Sequence, residues 1–121
     1  MREKILLIDD EDAIRLIGKR ALESAGYRVT LAESAEDGLE RFSADDFDLV
    51  ITDLLLSGTG GLETVEKIRA DKPDIPVMVI SGTDLNSDEF LEVRRKTGID
   101  AALAKPFELT ALLQSVRTCL G

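Results

Sequence analysis

A strand with one face in water alternates apolar and polar side chains, whereas a strand covered on both faces does not. Three stretches of this chain are of the second kind: Ile5-Leu-Leu-Ile8, Leu49-Val-Ile-Thr52 and Val77-Met-Val-Ile80. Each is short, near-continuously apolar and rich in branched side chains, and each reads as a buried strand. Between them lie stretches with apolar residues at spacings of three and four, the mark of helices that cover a core with one face. This combination restricts the chain to a parallel sheet with helices on both of its faces.

In order, the first strand Ile5–Ile8 ends at once in Asp9-Asp10-Glu11-Asp12. The first helix carries Ile14, Ile17, Ala21, Leu22 and Ala25 on its apolar stripe, with Leu16 off it, and closes at Gly26. Gly18 lies mid-helix, at a cost of about 1 kcal/mol relative to Ala. Arg28–Ala32 is the second strand. Ser34, with Asp37 three residues on, starts a helix carrying Leu39 and Phe42 that ends at Asp45 and Asp46. The third strand runs into Asp53, and after Gly61 a helix carries Leu62, Val65 and Ile68. Pro73 and Pro76 bound the next connection. The fourth strand ends in Ser81-Gly82 and leads to a helix around Phe90, Leu91 and Val93 that stops at Gly98. A fifth strand of small residues, Ile99 to Ala104, precedes Lys105-Pro106, and the last helix carries Leu109, Leu112, Leu113, Val116 and Leu120. Strand and helix alternate five times in 121 residues. The expected fold is one α/β domain over residues 1–121, a doubly wound five-stranded parallel sheet in the order 2-1-3-4-5.

Composition narrows the function. The net charge is -9, which opposes direct nucleic-acid binding through Lys and Arg. There is no His, so imidazole catalysis and imidazole metal sites are excluded. The single Cys119 cannot form an internal disulfide and sits in an apolar helical pattern as a packing residue. No apolar run is long enough to span a membrane, and the N-terminal one is too short for a signal peptide. A cytoplasmic protein is the default expectation.

The polar residues at the strand ends form a pattern. In an open parallel sheet, chemistry sits outside the carboxyl ends of the strands. There the first strand supplies Asp9 and Asp10, the third Asp53, the fourth Ser81 and the fifth Lys105. Each has an ordinary reading alone. Asp53 is a common turn residue, and Asp9-Asp10 suits the acidic first turn of a helix. Ser81-Gly82 suits a turn, and Lys105-Pro106 a helix start. Their coincidence at four strand ends favours a joint role. Three converging carboxylates call for a cation, and a hard ion such as Mg2+ suits them. Ca2+ suits the same oxygen donors, but nothing matches the calcium-loop ligand spacing. Metal, lysine and hydroxyl around one carboxylate make a phosphoryl-transfer site with Asp53 as nucleophile.

On these residues the chain resembles the receiver domain of two-component response regulators, chemotaxis-regulator-like, from Ile5 through Leu120. Asp9-Asp10, Asp53, Ser81-Gly82 and Lys105-Pro106-Phe107 carry the resemblance, and Gly61 fits it. It implies a flavodoxin-like fold and a phosphorelay switch. Asp53 would accept a phosphoryl group from a phosphohistidine on a sensor histidine kinase or phosphotransfer protein. Asp10, Asp53 and the backbone carbonyl of Leu55 would bind Mg2+, with Asp9 acting mainly through water. Lys105 would contact the phosphoryl group and Ser81 would hydrogen-bond to it. The phosphorylated state would bias the face of the fourth helix, fifth strand and fifth helix toward a downstream output protein or domain. That face is also the expected homodimer interface. The phosphodonor is expected near Ile14, Pro106 and Phe107.

Two positions depart from the family pattern. Ala102 stands where many receivers carry the aromatic residue of their switch. Ser57, followed by Gly58 and Gly60, replaces a usual proline and predicts a more mobile loop. Leu55 and Thr83 occupy positions that tune dephosphorylation in the family. Met1 directly before the first strand favours a natural N-terminus, and both a stand-alone receiver and a piece of a larger regulator or hybrid kinase fit. The alternative is a phosphorylation-independent interaction module of the same fold, which Ala102 keeps open. An aspartyl phosphatase of the haloacid-dehalogenase type is disfavoured by Leu55, where such enzymes have a second Asp. A flavodoxin-like cofactor binder is disfavoured by the acidic Asp9–Asp12 run, which would repel a phosphate.

Overall fold

The computed structural model describes residues 2–54, 60–82 and 85–121, apart from the side chain of Glu89. Its strands are β1 (Lys4–Ile8), β2 (Arg28–Ala32), β3 (Leu49–Asp53), β4 (Val77–Ser81) and β5 (Ala101–Ala104). Its helices are α1 (Asp12–Ser24), α2 (Ala35–Ala44), α3 (Gly61–Asp71), α4 (Asp88–Thr97) and α5 (Leu109–Leu120). All strand pairs are parallel, and the order is β2-β1-β3-β4-β5, as the sequence pattern predicts.

The unbroken apolar runs are explained by what lies on either side of them. Ile5 and Leu7 of β1 join Leu49, Ile51, Met78 and Ile80 under α1 and α5. Leu6 and Ile8 face the other way, with Val50 and Val77, under α2 and α3. Leu54, Val79, Phe90 and Val93 make a third cluster beneath α4. Each aliphatic side chain buried this fully contributes about 1.5–3 kcal/mol to folding, so the sheet is held from both sides.

Helix ends follow local chemistry. The Ser34 hydroxyl accepts the N–H of Asp37 at 3.1 Å and caps α2. The Ser87 hydroxyl does the same for Phe90 at 3.2 Å and starts α4. Gly98 ends α4 in the left-handed region, at φ 61°. Below it, Arg69 donates to the carbonyls of Pro73 and Gly98 and to Asp100 Oδ2, which also accepts the N–H of Val77. This use of Asp100 explains why β5 begins at Ala101 and not at Ile99, whose side chain packs between the α3 and α4 clusters.

Two apolar stripes need correction. Ile17 is 45% exposed and Leu109 44% exposed, although both fall on predicted stripes. In α1 the buried face runs through Gly18, Ala21 and Leu22. Gly18 takes the place of an apolar side chain because α1 lies so close to β1 that a Cβ there would stand 2.7 Å from Leu7 Cδ2. Leu16 is exposed as expected, and Cys119 packs at the edge of the α1–α5 core.

The tightest contact is at Gly61, where α3 begins. Its N–H donates to the carbonyl of Leu54 at 3.1 Å, and an added Cβ would lie 2.1 Å from that oxygen. Gly61→Ala should therefore cost about 1–3 kcal/mol of unfolding free energy, against a propensity gain of about 1 kcal/mol for Ala. Urea denaturation measures it, and an unchanged midpoint would show that the α3 start can move away from Leu54 freely.

Candidate functional site

The sheet register brings the polar strand ends together. Ile8 pairs with Thr52, so Asp9 follows beside Asp53. Asp53 closes β3 and pairs with Ile80, and Ser81 closes β4 and pairs with Ala104. Lys105 is then the first residue past β5, and its N–H donates to the Ser81 carbonyl at 2.7 Å. Asp9, Asp53 and Ser81 are buried, while Asp10 is exposed at the rim. All five residues singled out from the sequence therefore meet at one end of the sheet.

Lys105 is the centre of the group. Its Nζ donates to Asp53 Oδ2 and to Glu11 Oε1, each at 2.8 Å. It also lies 2.8 Å from Asp9 Oδ2. The Asp9 contact is an ion pair without hydrogen-bond alignment, so the buried Oδ2 accepts no hydrogen bond from the described residues. Its other oxygen accepts the N–H of Glu11 at 2.8 Å. Burial pushes the Asp9 carboxyl above its ordinary value, against the pull of Lys105 and of that N–H. For Lys105, burial works against the charge, but Asp53, Asp9 and Glu11 outweigh it and hold the ammonium well above the usual lysine range. A lysine shifted this way contributes stability below its unfolded value of about 10.4 and loses it as pH rises through the higher folded one.

Sequence reasoning missed two members of the site. Glu11 stands in the acidic run, but only the fold shows that it reaches Lys105. Arg15 lies one helical turn past the run, donates to the Asp9 carbonyl at 2.6 Å and pairs with Asp12. It ties the β1–α1 turn to the helix that follows. The spacing of Asp12 and Arg15, three residues apart at a helix start, was the available signal.

The donor set fits a hard cation. Asp9, Asp10, Glu11 and Asp53 each offer a carboxylate oxygen, and these atoms lie within 4.8 Å of one another. They are oxygen ligands of the kind Mg2+ prefers, and Asp9 Oδ2 is buried with a lone pair to spare. The expected Leu55 carbonyl lies outside the described residues, as do Ser57, Gly58 and Thr83. On the far side of β5, Ala102 packs against the α4 cluster. Beside it is a cleft of about 290 Å³ bounded by Leu85, Phe90, Arg94, Ile99 and Asp100.

Comparison with known proteins agrees with this geometry. Residues 5–117 match the family model described as the response regulator receiver domain. The chain belongs to that family. Among curated relatives, the response regulator MprA of Mycolicibacterium vanbaalenii is 32% identical over 120 residues, covering 99% of this chain and 51% of the relative. The MprA of Mycobacterium tuberculosis strain H37Rv gives the same identity and coverage. The receiver domain thus spans about half the length of the curated relatives it matches. Among solved structures, a CheY-like receiver domain protein from Methanospirillum hungatei aligns with a TM-score of 0.93 at 30% identity, covering 99% of this chain and 94% of that one. The Vibrio cholerae chemotaxis protein CheY4 aligns at 0.92 and 26% identity, covering 99% and 100%. Among the described residues of this receiver domain, no helix is long and apolar enough to cross a membrane.

The central ammonium generates a test. In the presence of chelator, Lys105→Ala should lower the unfolding free energy by about 3 kcal/mol, since Asp9 and Asp53 lose the charge that offsets their burial. Added Mg2+ should then recover more stability in the variant than in wild type. Equal stability of the two proteins in chelator would mean that the ammonium is not what holds the carboxylates together.

Proposed function

We propose that residues 1–121 form one receiver domain that works as a phosphorylatable switch, with Asp53 as the phosphoacceptor. The observation that supports this most directly is the Asp53 carboxylate at the end of β3, hydrogen-bonded to Lys105 and grouped with Asp9, Asp10 and Glu11. A carboxylate oxygen of Asp53 attacks the phosphorus of a phosphohistidine on a sensor histidine kinase or phosphotransfer protein. The new O–P bond forms as the P–N bond breaks, and the electron pair stays on the departing imidazole, which takes a proton from solvent. Lys105 aligns the carboxylate and meets charge on the transferred group. Ser81, buried at the next strand end, supplies a hydroxyl to a phosphoryl oxygen.

Receiver domains generally bind Mg2+ at such an acidic pocket. Here Asp9, Asp10 and Asp53 would hold it, with the Leu55 carbonyl as a further ligand. When bound, Mg2+ neutralises charge on the phosphoryl oxygens. The domain acts on its own aspartate only and turns over no separate substrate.

The output is a population shift in the face made by α4, β5 and α5, set by how much better the phosphoryl group is held in one state than the other. That face is assigned to the downstream protein or domain and to any homodimer. With Ala102 in place of an aromatic side chain, the aromatic half of the family's usual switch is absent. The acidic balance disfavours direct contact with nucleic acid, and a cytoplasmic location without membrane contact is part of the same reading.

Intact-mass spectrometry after incubation with Mg2+ and a small acyl phosphate tests the proposal. One added phosphoryl group is expected in wild type, lost with EDTA and in Asp53→Asn. No adduct from the small donor or from candidate kinases would instead favour a phosphorylation-independent interaction module.

A further inference from the structure

An ammonium group has three protons to donate. Around Lys105 three carboxylates stand at one distance, with Asp53 Oδ2, Asp9 Oδ2 and Glu11 Oε1 each 2.8 Å from Nζ. A phosphoryl group arriving on Asp53 would bring new acceptors to an ammonium that already donates to Asp53 and Glu11 and has the Asp9 carboxylate beside it as an ion-pair neighbour at the same distance. One of the present partners has to give way.

The three partners are not equivalent. Asp9 and Asp53 are buried at strand ends and fixed by the sheet. Glu11 precedes α1, and its side chain is 59% exposed. Its main chain is held by the bond from its N–H to Asp9 Oδ1, so only the carboxylate needs to move. Water can resolvate that carboxylate at little cost, whereas the Asp9 carboxylate is enclosed and has no room to swing away from the ammonium. Glu11 is therefore the partner that leaves.

We infer that Glu11 is a positioning residue that restrains phosphoryl acceptance: it holds the Lys105 ammonium until a phosphoryl oxygen displaces it. This rests on Asp53 being the phosphoacceptor. With a small acyl phosphate as donor, the Asp53 oxygen forms the new O–P bond. The bond from phosphorus to the donor's acyl oxygen breaks, and its electron pair leaves with the donor carboxylate. No proton moves. Glu11 takes no part in bond making and acts only through Lys105.

The test is an intact-mass time course with Mg2+ and acetyl phosphate on wild type, Glu11→Gln, Lys105→Ala, the double variant and Asp53→Asn. Glu11→Gln should accept the phosphoryl group about 2–5-fold faster than wild type, the range expected from one half-exposed ion pair. In the Lys105→Ala background the same substitution should have no effect. In metal-free protein, the Lys105 side-chain nitrogen resonance should shift in Glu11→Gln. An unchanged rate, an unmoved resonance, or equal acceleration without Lys105 would overturn the inference, the last by showing a general charge effect. Slower acceptance together with weaker Mg2+ binding by calorimetry would also overturn it, by making Glu11 a cation ligand. An adduct missing from wild type, or kept by Asp53→Asn, would remove the phosphoacceptor reading itself and this inference with it.

Discussion

Two carboxylates at neighbouring strand ends can be buried only if a positive charge is brought to them. Here the charge comes from Lys105, which is far away in sequence and adjacent only through the sheet. Its main chain is set by the bond to the Ser81 carbonyl, and its ammonium meets Asp9, Asp53 and Glu11. β1, β3 and β5 are thus joined twice, through the sheet below and through the ion cluster above. The order of the strands is what makes this work. With β1 and β3 adjacent and β4 and β5 following, the acidic ends flank the crossover reversal between β1 and β3, and the lysine reaches them from the same carboxyl edge of the sheet.

The covering helices have to come close for these strand ends to stay dry, and small residues permit it. Gly18 brings α1 against Leu7, and Gly38 brings α2 against Ile8, where a Cβ would meet three side-chain carbons of that isoleucine. Gly61 lets α3 start against the Leu54 carbonyl. Leu7 and Ile8 immediately precede Asp9, and Leu54 immediately follows Asp53. The closest helix–strand approaches are therefore beside the two buried carboxylates, where entry of water would weaken every charge interaction in the site.

Much of this was legible beforehand. Unbroken apolar runs gave the parallel sheet, because only burial on both faces removes the alternation. The ends of those runs gave Asp9, Asp10, Asp53, Ser81 and Lys105, because each polar residue stands where a strand has to stop. Less could be read where side-chain reach, and not position along an element, decides the outcome. Glu11 is one residue past the acidic pair and looks like part of a solvated helix start, yet its side chain is long enough to reach Lys105. Arg15 looks like a surface cation and instead braces the Asp9 carbonyl. Ile17 and Leu109 fit helical stripes and are nonetheless half out of the core. For Ile17 the reason is that a glycine, which carries no apolar signal, occupies the contact line of α1.

At the opposite end of the sheet, Arg69 gathers the Pro73 and Gly98 carbonyls and the Asp100 carboxylate. Gly98 is the residue at which α4 ends, so this arginine fastens the heel of that helix to α3 and to the base of β4 and β5. A rod anchored at one end moves most at the other. Ten residues of helix span about 15 Å, so a tilt of about 5° around the fastened heel carries the Ser87 end through about 1 Å while Gly98 stays in place. The Ser87 end is the one nearer the carboxyl ends of the strands, where Phe90 seats it in the cluster with Leu54 and Val79. In mechanical terms, the proposed switch would use α4 as a lever with its fulcrum remote from the charge cluster, and a small displacement beside Ser81 would become a change of slope along the outer surface of the helix.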